Sequence, residues 1–279
     1  MTSIIAVQDA KTAGCVSYWT LGAAKIADLA AAWQSAGLDA DDLPNAPSPD
    51  RCLAHAIKEL TETRRLARPL PGGEGWALVD ERVTAGTELE YAEVLRAKVG
   101  DQGLEIKPTD HPLAAPLEAA YRNEEGTYDP GMLSEWMTRM ARRRKAVGLR
   151  DTGGVYFLPQ PEAELWRKMA RTLESCSSSK VYEIPAMRSE EAVKAILASV
   201  AREVEQAAAD IASKIETYGA RGLRNCEARC VEVQAIVSSY EAILGESLAD
   251  LKAKLETLQG EVVAAALRAE EEAEKGGAK

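Results

Sequence analysis

From about residue 189 to about residue 268 the apolar residues recur at alternating spacings of three and four. One stripe runs through Val193, Leu197, Val200, Val204, Ala207, Ile211, Ile215 and Tyr218. A second runs through Leu223, Cys226, Cys230, Val233, Val237, Tyr240, Leu244, Leu248, Leu251, Leu255, Leu258 and Val262. A seam near 3.5 residues per repeat, kept for several heptads, is the pattern of a coiled coil. Gly219 and Gly222 interrupt it, so residues 189–270 are expected to fold back as an antiparallel hairpin. The arms, about 30 and about 46 residues, would be roughly 45 and roughly 69 Å long. The longer arm is expected to overhang and pack near a helix at 161–174. Each stripe holds one extra four-step, Ile211 to Ile215 and Leu244 to Leu248, a stutter that locally unwinds a supercoil. Gly245 lies beside the second stutter and marks a bend. The charged, glycine-containing tail at 271–279 is expected to fray.

Upstream the pattern breaks into short elements. Residues 16–19 read as a strand and 23–36 as a helix that buries Leu29 and Trp33 and ends at Gly37. An Asp- and Pro-rich loop spans 39–49. Ser48 then reads as an N-cap and Pro49 as the first residue of a helix running to about Leu66, with Leu53, Ile57 and Leu60 inward. Strand-like runs follow at 76–83, 90–99 and 104–107, the last two joined by a hairpin turn at 100–103. Beyond residue 109 a helix is expected from Asp110 to about Asn123 and another from Asp129 to about Val147, with Leu133, Trp136, Met137 and Met140 as its apolar positions. A turn at 151–154, a strand at 155–158, a helix at 162–173, a Ser-rich loop at 175–179 and a strand at 181–184 complete this part.

The two upstream parts echo each other. Arg64, Arg65, Ala67 and Leu70 match Arg143, Arg144, Ala146 and Leu149 at an offset of 79, which also pairs Asp50 with Asp129 at two helix starts. In each part a basic helix end is followed by Leu, a Gly-Gly turn and an apolar strand. Helix, helix, then a glycine-turned hairpin is the order of a winged helix-turn-helix. The expected fold is therefore mainly α with small β-hairpins, an α+β chain. Winged-helix-like units at 1–109, with extra strands, and at 110–188 precede the coiled-coil hairpin.

Charge changes the picture only in the middle. The chain carries a net −10 over 279 residues. Residues 1–109 hold 11 basic and 16 acidic side chains, residues 110–188 hold 12 and 11, and residues 189–279 hold 11 and 17. An acidic protein repels phosphate at long range, and only the middle part escapes that objection. There Arg139, Arg142, Arg143, Arg144 and Lys145 crowd one helix end, a candidate set of phosphate contacts if that helix enters a DNA groove. The same cations would also answer the negative pole of the helix dipole. Arg64, Arg65 and Arg68 are a weaker copy in an acidic setting.

The two histidines and five cysteines do not assemble a catalytic or metal motif by spacing. His55 sits inside a helix and His111 at a helix entrance, where capping is the expected role. Cys226 and Cys230, four apart, both fall on the heptad seam as small hydrophobes. No apolar run approaches the roughly 20 residues of a bilayer span, and the first residues lack a positive region ahead of their apolar patch. A cytoplasmic protein without cofactor, metal or catalytic residues is expected.

Four phrases carry a resemblance: Val16-Ser17-Tyr18-Trp19-Thr20-Leu21, Trp76-Ala77-Leu78-Val79-Asp80-Glu81, the run from Leu149 to Pro159, and Tyr182-Glu183-Ile184-Pro185. They resemble a family of uncharacterised bacterial and phage proteins over most of the chain, a resemblance that implies no activity. The expected function is assembly, by self-association into a homo-oligomer or by docking a protein partner through the coiled coil or a winged-helix face. The alternative is a protein that grips duplex DNA through residues 139–145.

Overall fold

The computed structural model describes residues 12–83, 89–150, 153–245 and 247–276. Among them are eight α-helices and three small antiparallel sheets, an α+β chain. In chain order the elements are β1 (Thr12–Thr20), β2 (Ala24–Lys25), α1 (Ile26–Ser35), α2 (Pro49–Glu59), β3 (Arg65–Pro69), β4 (Trp76–Val83), β5 (Leu89–Gly100) and β6 (Gly103–Lys107). There follow α3 (Ala114–Glu125), β7 (Thr127–Tyr128), α4 (Pro130–Arg143), β8 (Val147–Gly148), β9 (Val155–Pro159), α5 (Gln160–Ser175), β10 (Lys180–Met187), α6 (Glu190–Ile215), α7 (Ala220–Leu244) and α8 (Ala249–Gly276).

The chain forms two compact units, each drawn from separate stretches of sequence. The first holds residues 12–19, 138–168 and 181–276. Its sheet has the order β10-β1-β9-β8, with Val16 opposite Phe157 and Val147 opposite Phe157 on the other side. On one sheet face, Trp166 of α5 donates its indole N–H to Ser17 Oγ at 3.0 Å, and both residues are fully buried. The other face meets the helices: Phe157, Val147, Val200, Val204, Val237, Tyr240 and Leu244 share one apolar cluster, with Val16 and Ala186 packed against it. α6 also closes the β8 edge of the sheet. Its Glu203 accepts from the Gly148 N–H at 3.3 Å, and its Arg202 donates to the Gly148 carbonyl at 2.5 Å.

The heptad stripes lie on three helices rather than two arms. α6 starts at a Ser189 cap that accepts from the Ala192 N–H, and it ends before Gly219. The expected 46-residue second arm breaks at Gly245, whose left-handed backbone (φ 71°) ends α7 and donates to the Glu241 carbonyl. This is the glycine-ended C-cap that a residue with a Cβ adopts only at a cost. Glu241 fastens the turn by accepting from the Leu248 N–H at 3.0 Å and pairing with Lys252. So α8 packs back along α7 and α6 instead of overhanging. Residues 277–279 of the expected frayed tail lie outside the described residues, as do Asp151 and Thr152 of the expected turn and the apolar patch before residue 12.

The second unit holds residues 20–137 and 169–180. Its four-stranded meander runs β3-β4-β5-β6, with the expected hairpin turn closing at Gly100 opposite Gly103. α2 and α3 lie on it and bury Leu53, Ile57, Leu78, Leu95 and Leu117 together. Ser48 caps α2 as its side chain predicts, accepting from the Arg51 N–H at 3.3 Å. The helix does not reach Leu66. It ends at Glu59, and Arg65 to Pro69 pair with β4 as a strand, Leu66 opposite Val79. The first basic run therefore sits at the start of a strand, while the second ends α4, and the local repeat does not extend to structure there.

The Asp- and Pro-rich loop is held by three aromatic donors. Trp33 donates to the Asp39 carbonyl and Trp136 to the Asp42 carbonyl, each at 2.7 Å, and Tyr128 donates to the Pro44 carbonyl at 2.8 Å. The Ser-rich loop after α5 has a comparable logic. Ser175 donates to the Thr172 carbonyl at 2.7 Å and Ser177 to the Leu173 carbonyl at 2.8 Å, satisfying carbonyls that the helix end leaves open.

Candidate interaction surfaces

α4 places the basic residues. Its first turn is capped by Asp129, which accepts from the Gly131 and Met132 N–H groups at 2.8 and 3.0 Å. Its apolar side, with Leu133, Trp136, Met137 and Met140 buried, leaves Arg139, Arg142 and Arg143 exposed. Among the described residues neither Arg139 nor Arg142 has an ion-pair partner. The other two members of the set are drawn into the fold. Arg144 is half-buried. Lys145 has a left-handed backbone (φ 58°), lies 3.9 Å from Glu162, and offers its carbonyl to the Tyr240 hydroxyl at 2.9 Å. Of the weaker copy, Arg64 and Arg68 are exposed. Arg65 is committed to Asp80 at 3.0 Å and to Glu62 at 3.3 Å.

The seam residues line the bundle. Val200, Val204, Ile211, Val233, Val237, Leu244 and Leu255 are buried, and Val193, Leu197, Ile215, Leu248 and Leu251 are packed against them. A shallow groove of about 640 Å³ runs between Leu197, Ala198 and Ala201 of α6 and Leu248 to Leu251 at the start of α8.

A further surface is formed by the sheet of the first unit. Tyr18 of β1 and Tyr182 of β10 stack at 4.9 Å, and with Ile184 they are 38%, 44% and 53% exposed. By strand alternation Tyr18 shares a face with Val16, and Tyr182 and Ile184 share a face with Ala186. Val16 and Ala186 lie under the helices, so the apolar face runs on past the edge of its cover. The signal was present in the spacing of 182, 184 and 186, but β10 reads locally as a short strand with no partner. Only the long-range placement of β10 beside β1 reveals the tyrosine pair.

Two remaining clusters have evident structural partners. In the second unit Arg51 grips Asp129 with both arms, at 3.0 and 3.2 Å, and His55 Nδ1 lies 3.2 Å from Glu124 and 3.9 Å from Asp129. His111 accepts from the Leu113 N–H at 3.1 Å just ahead of α3, whose N-cap Leu113 has no side-chain cap, so the histidine fastens the helix entrance without capping the helix itself. A pocket of about 450 Å³ beside β5 and β6 is lined by Arg96, Lys98 and Lys107, but Glu93 and Glu105 answer the first two of these.

Titration follows packing. Burial pushes the Cys15 thiol up to about 11, and burial also raises Cys52, Cys176 and Cys230, so these side chains sit as neutral thiols at neutral pH. Cys226 and Cys230 are buried with Ile211, Leu258 and Val262, as core residues. Among the described residues no group of three or more His, Cys, Asp and Glu side chains is placed to hold a metal ion, and no helix is long and apolar enough to cross a membrane. Asp129 shows the opposite shift. Burial pushes its carboxyl up, but the Met132 N–H, the Arg51 guanidinium and the Gly131 N–H outweigh it and hold it below the usual carboxylate range.

The folded state thus binds this proton less tightly than the unfolded chain does. The stability Asp129 contributes is complete above its unfolded-state value near about 3.9 and is lost as pH falls through the lower folded value. Thermal unfolding followed from neutral pH to about pH 3 is expected to show it. Asp129→Asn lowers Tm at neutral pH, and the variant then loses less on acidification than the natural chain does. Equal losses would refute the assignment.

No curated protein and no solved structure matches this chain. The resemblance carried by the four sequence phrases does have a counterpart: a family model, described as a family of unknown function, matches residues 14–271. That span runs from within β1 to within α8, and the chain belongs to this family, DUF6744.

Proposed function

We propose that this chain is a non-enzymatic assembly protein that acts by association, in the cytoplasm, with a second copy of itself as its first partner. The observation that carries the reading is the apolar sheet face that continues from under the helices into the exposed Tyr18, Tyr182 and Ile184. Water-exposed aromatic and branched apolar side chains gathered in one place favour association over solvation. The heptad stripes of α6 and α7 support a coiled-coil reading of the bundle, with long helices that stiffen whatever they join. Five free cysteines fit a reducing compartment. Light scattering on the eluting protein from about 1 to about 100 μM tests the reading. The expected mass rises with concentration above the 30.1 kDa of one chain. A constant 30.1 kDa would refute self-association.

A second reading rests on its own observation. The strand order β1-β9-β8, with α4 leading directly into the β8–β9 hairpin, is the order in which a winged helix builds its sheet. Arg139 and Arg142, exposed and without ion-pair partners among the described residues, lie on that helix beside Arg143. Three phosphate contacts would give duplex binding a log–log salt slope of about −3. Fluorescence anisotropy of a labelled duplex at about 50 and about 200 mM salt measures it. Binding that disappears in an Arg139/Arg142/Arg143→Glu variant supports this reading. An absence of binding at the lower salt removes it.

A further inference from the structure

Resting on the assembly reading, we propose that two copies of this chain pair face to face through the strip formed by Tyr18, Tyr182 and Ile184. The two edges of the first unit's sheet differ. The β8 edge is closed within the chain by Arg202 and Glu203 of α6, which satisfy the Gly148 backbone. The β10 edge carries Pro185, a residue with no backbone N–H and one that disfavours the addition of a further strand. A partner therefore settles over the face of β10 and β1 rather than extending the sheet. That face is chemically continuous with the part covered by α6 and α7: Val16, Phe157 and Ala186 lie beneath the helices, and Tyr18, Tyr182 and Ile184 lie beyond them.

Charge placement selects a second copy as the occupant. Lys180 is exposed at one end of β10, three residues before Glu183, whose carboxylate is taken by Arg167 at 3.0 Å. Past the other end of β10, α6 opens with Glu190 and Glu191. Glu190 is paired with Lys194 at 2.6 Å, whereas Glu191 is exposed and held by the cap residue Ser189, not by a cation. A twofold axis through the strip runs the two β10 strands antiparallel, and it brings the Lys180 end of each copy to the partner's Glu191. The result is an isologous contact with an aromatic and aliphatic centre and a charged rim. No unpaired charge is left at its centre.

Sedimentation equilibrium on the full chain tests the surface. The natural chain is expected to form dimers. Ile184→Glu places a carboxylate at the centre of the contact and is expected to weaken association at least about tenfold. Because Ile184 is more than half exposed, this variant should keep the natural Tm, which circular dichroism checks. Lys180→Glu weakens pairing less, and adding Glu191→Lys restores it, which a general loss of solubility or fold would not do. Dimers that persist unchanged in a folded Ile184→Glu variant overturn this surface while leaving the assembly reading standing. A natural chain that stays monomeric to about 100 μM overturns both.

Discussion

Tyr240→Ala is expected to lower the stability of the first unit by about 3–5 kcal/mol, among the largest effects of any single substitution in the bundle. The side chain is fully buried in α7, and its ring sits 6.0 Å from the Phe157 ring of β9. Its hydroxyl donates to the Lys145 carbonyl at 2.9 Å and lies 3.4 Å from the Phe157 carbonyl. One residue thus ties the helical layer both to the sheet and to the connection between α4 and β8. That connection turns at Lys145, whose positive φ is uncommon for a side chain of this kind and persists only when surrounding contacts enforce it. Tyr240→Phe keeps the packing and leaves the Lys145 carbonyl without this donor, so its cost should be about 1–2 kcal/mol. Burial also holds the hydroxyl proton on, well above the ordinary tyrosine range, so no loss through tyrosinate is expected near neutral pH. Urea unfolding of the three proteins, compared at unchanged m-value, reads the ordering. Equal costs for Phe and Ala would show that the hydroxyl, not the ring, carries the tie.

Trp136→Ala is expected to cost a similar amount, about 3–5 kcal/mol, in the second unit. The indole of α4 is 1% exposed, meets Trp33 of α1 edge-on at 5.4 Å, and donates to the Asp42 carbonyl at 2.7 Å. Trp33 repeats the arrangement on the Asp39 carbonyl. Removing either ring opens a cavity beside the other and frees one anchor of the 39–44 loop. Edge-to-face aromatic pairs add about 0.5–1.5 kcal/mol beyond the area they bury. The double variant Trp33→Ala/Trp136→Ala should therefore cost less than the sum of its parts by about that amount. Strict additivity would mean that the two rings stabilise their surroundings independently.

Much of the local structure was legible because it depends on side chains near one another in sequence. Ser48 and Pro49 announce α2, Asp129 announces α4, and the strands flanking Gly100 and Gly103 alternate as a hairpin must. The helix ends were harder. α2 stops at Glu59, although the basic residues after it read as a helix end, because residues 65–69 find a partner in β4, and strand pairing overrides local propensity. The bundle's third helix was hidden for a related reason. A heptad stripe continues through Leu244 and Leu248 with only a stutter beside Gly245, which reads as a bend, and the left-handed backbone of Gly245 is what ends α7 there. Long-range pairing was the least legible feature. Val16 and Phe157 face each other across 141 positions, and nothing near either residue encodes the match.

The candidate surfaces divide along the same line. Exposure of Arg139, Arg142 and Arg143 follows from the 3.6-residue period of α4 and its buried tryptophan side. The withdrawal of Arg144 and Lys145 does not, since it depends on Glu162 and Tyr240 arriving from elsewhere in the chain. The tyrosine strip is a product of sheet order alone.

The measurement that bears most directly on assembly is sedimentation velocity of the protein together with a labelled duplex at about 50 mM salt, with both signals followed at once. The expected protein boundary moves faster as concentration rises, while the duplex keeps its free rate. A protein that sediments as a single 30.1 kDa species at every concentration when alone, and that carries the duplex along when the two are mixed, would contradict self-association as its role.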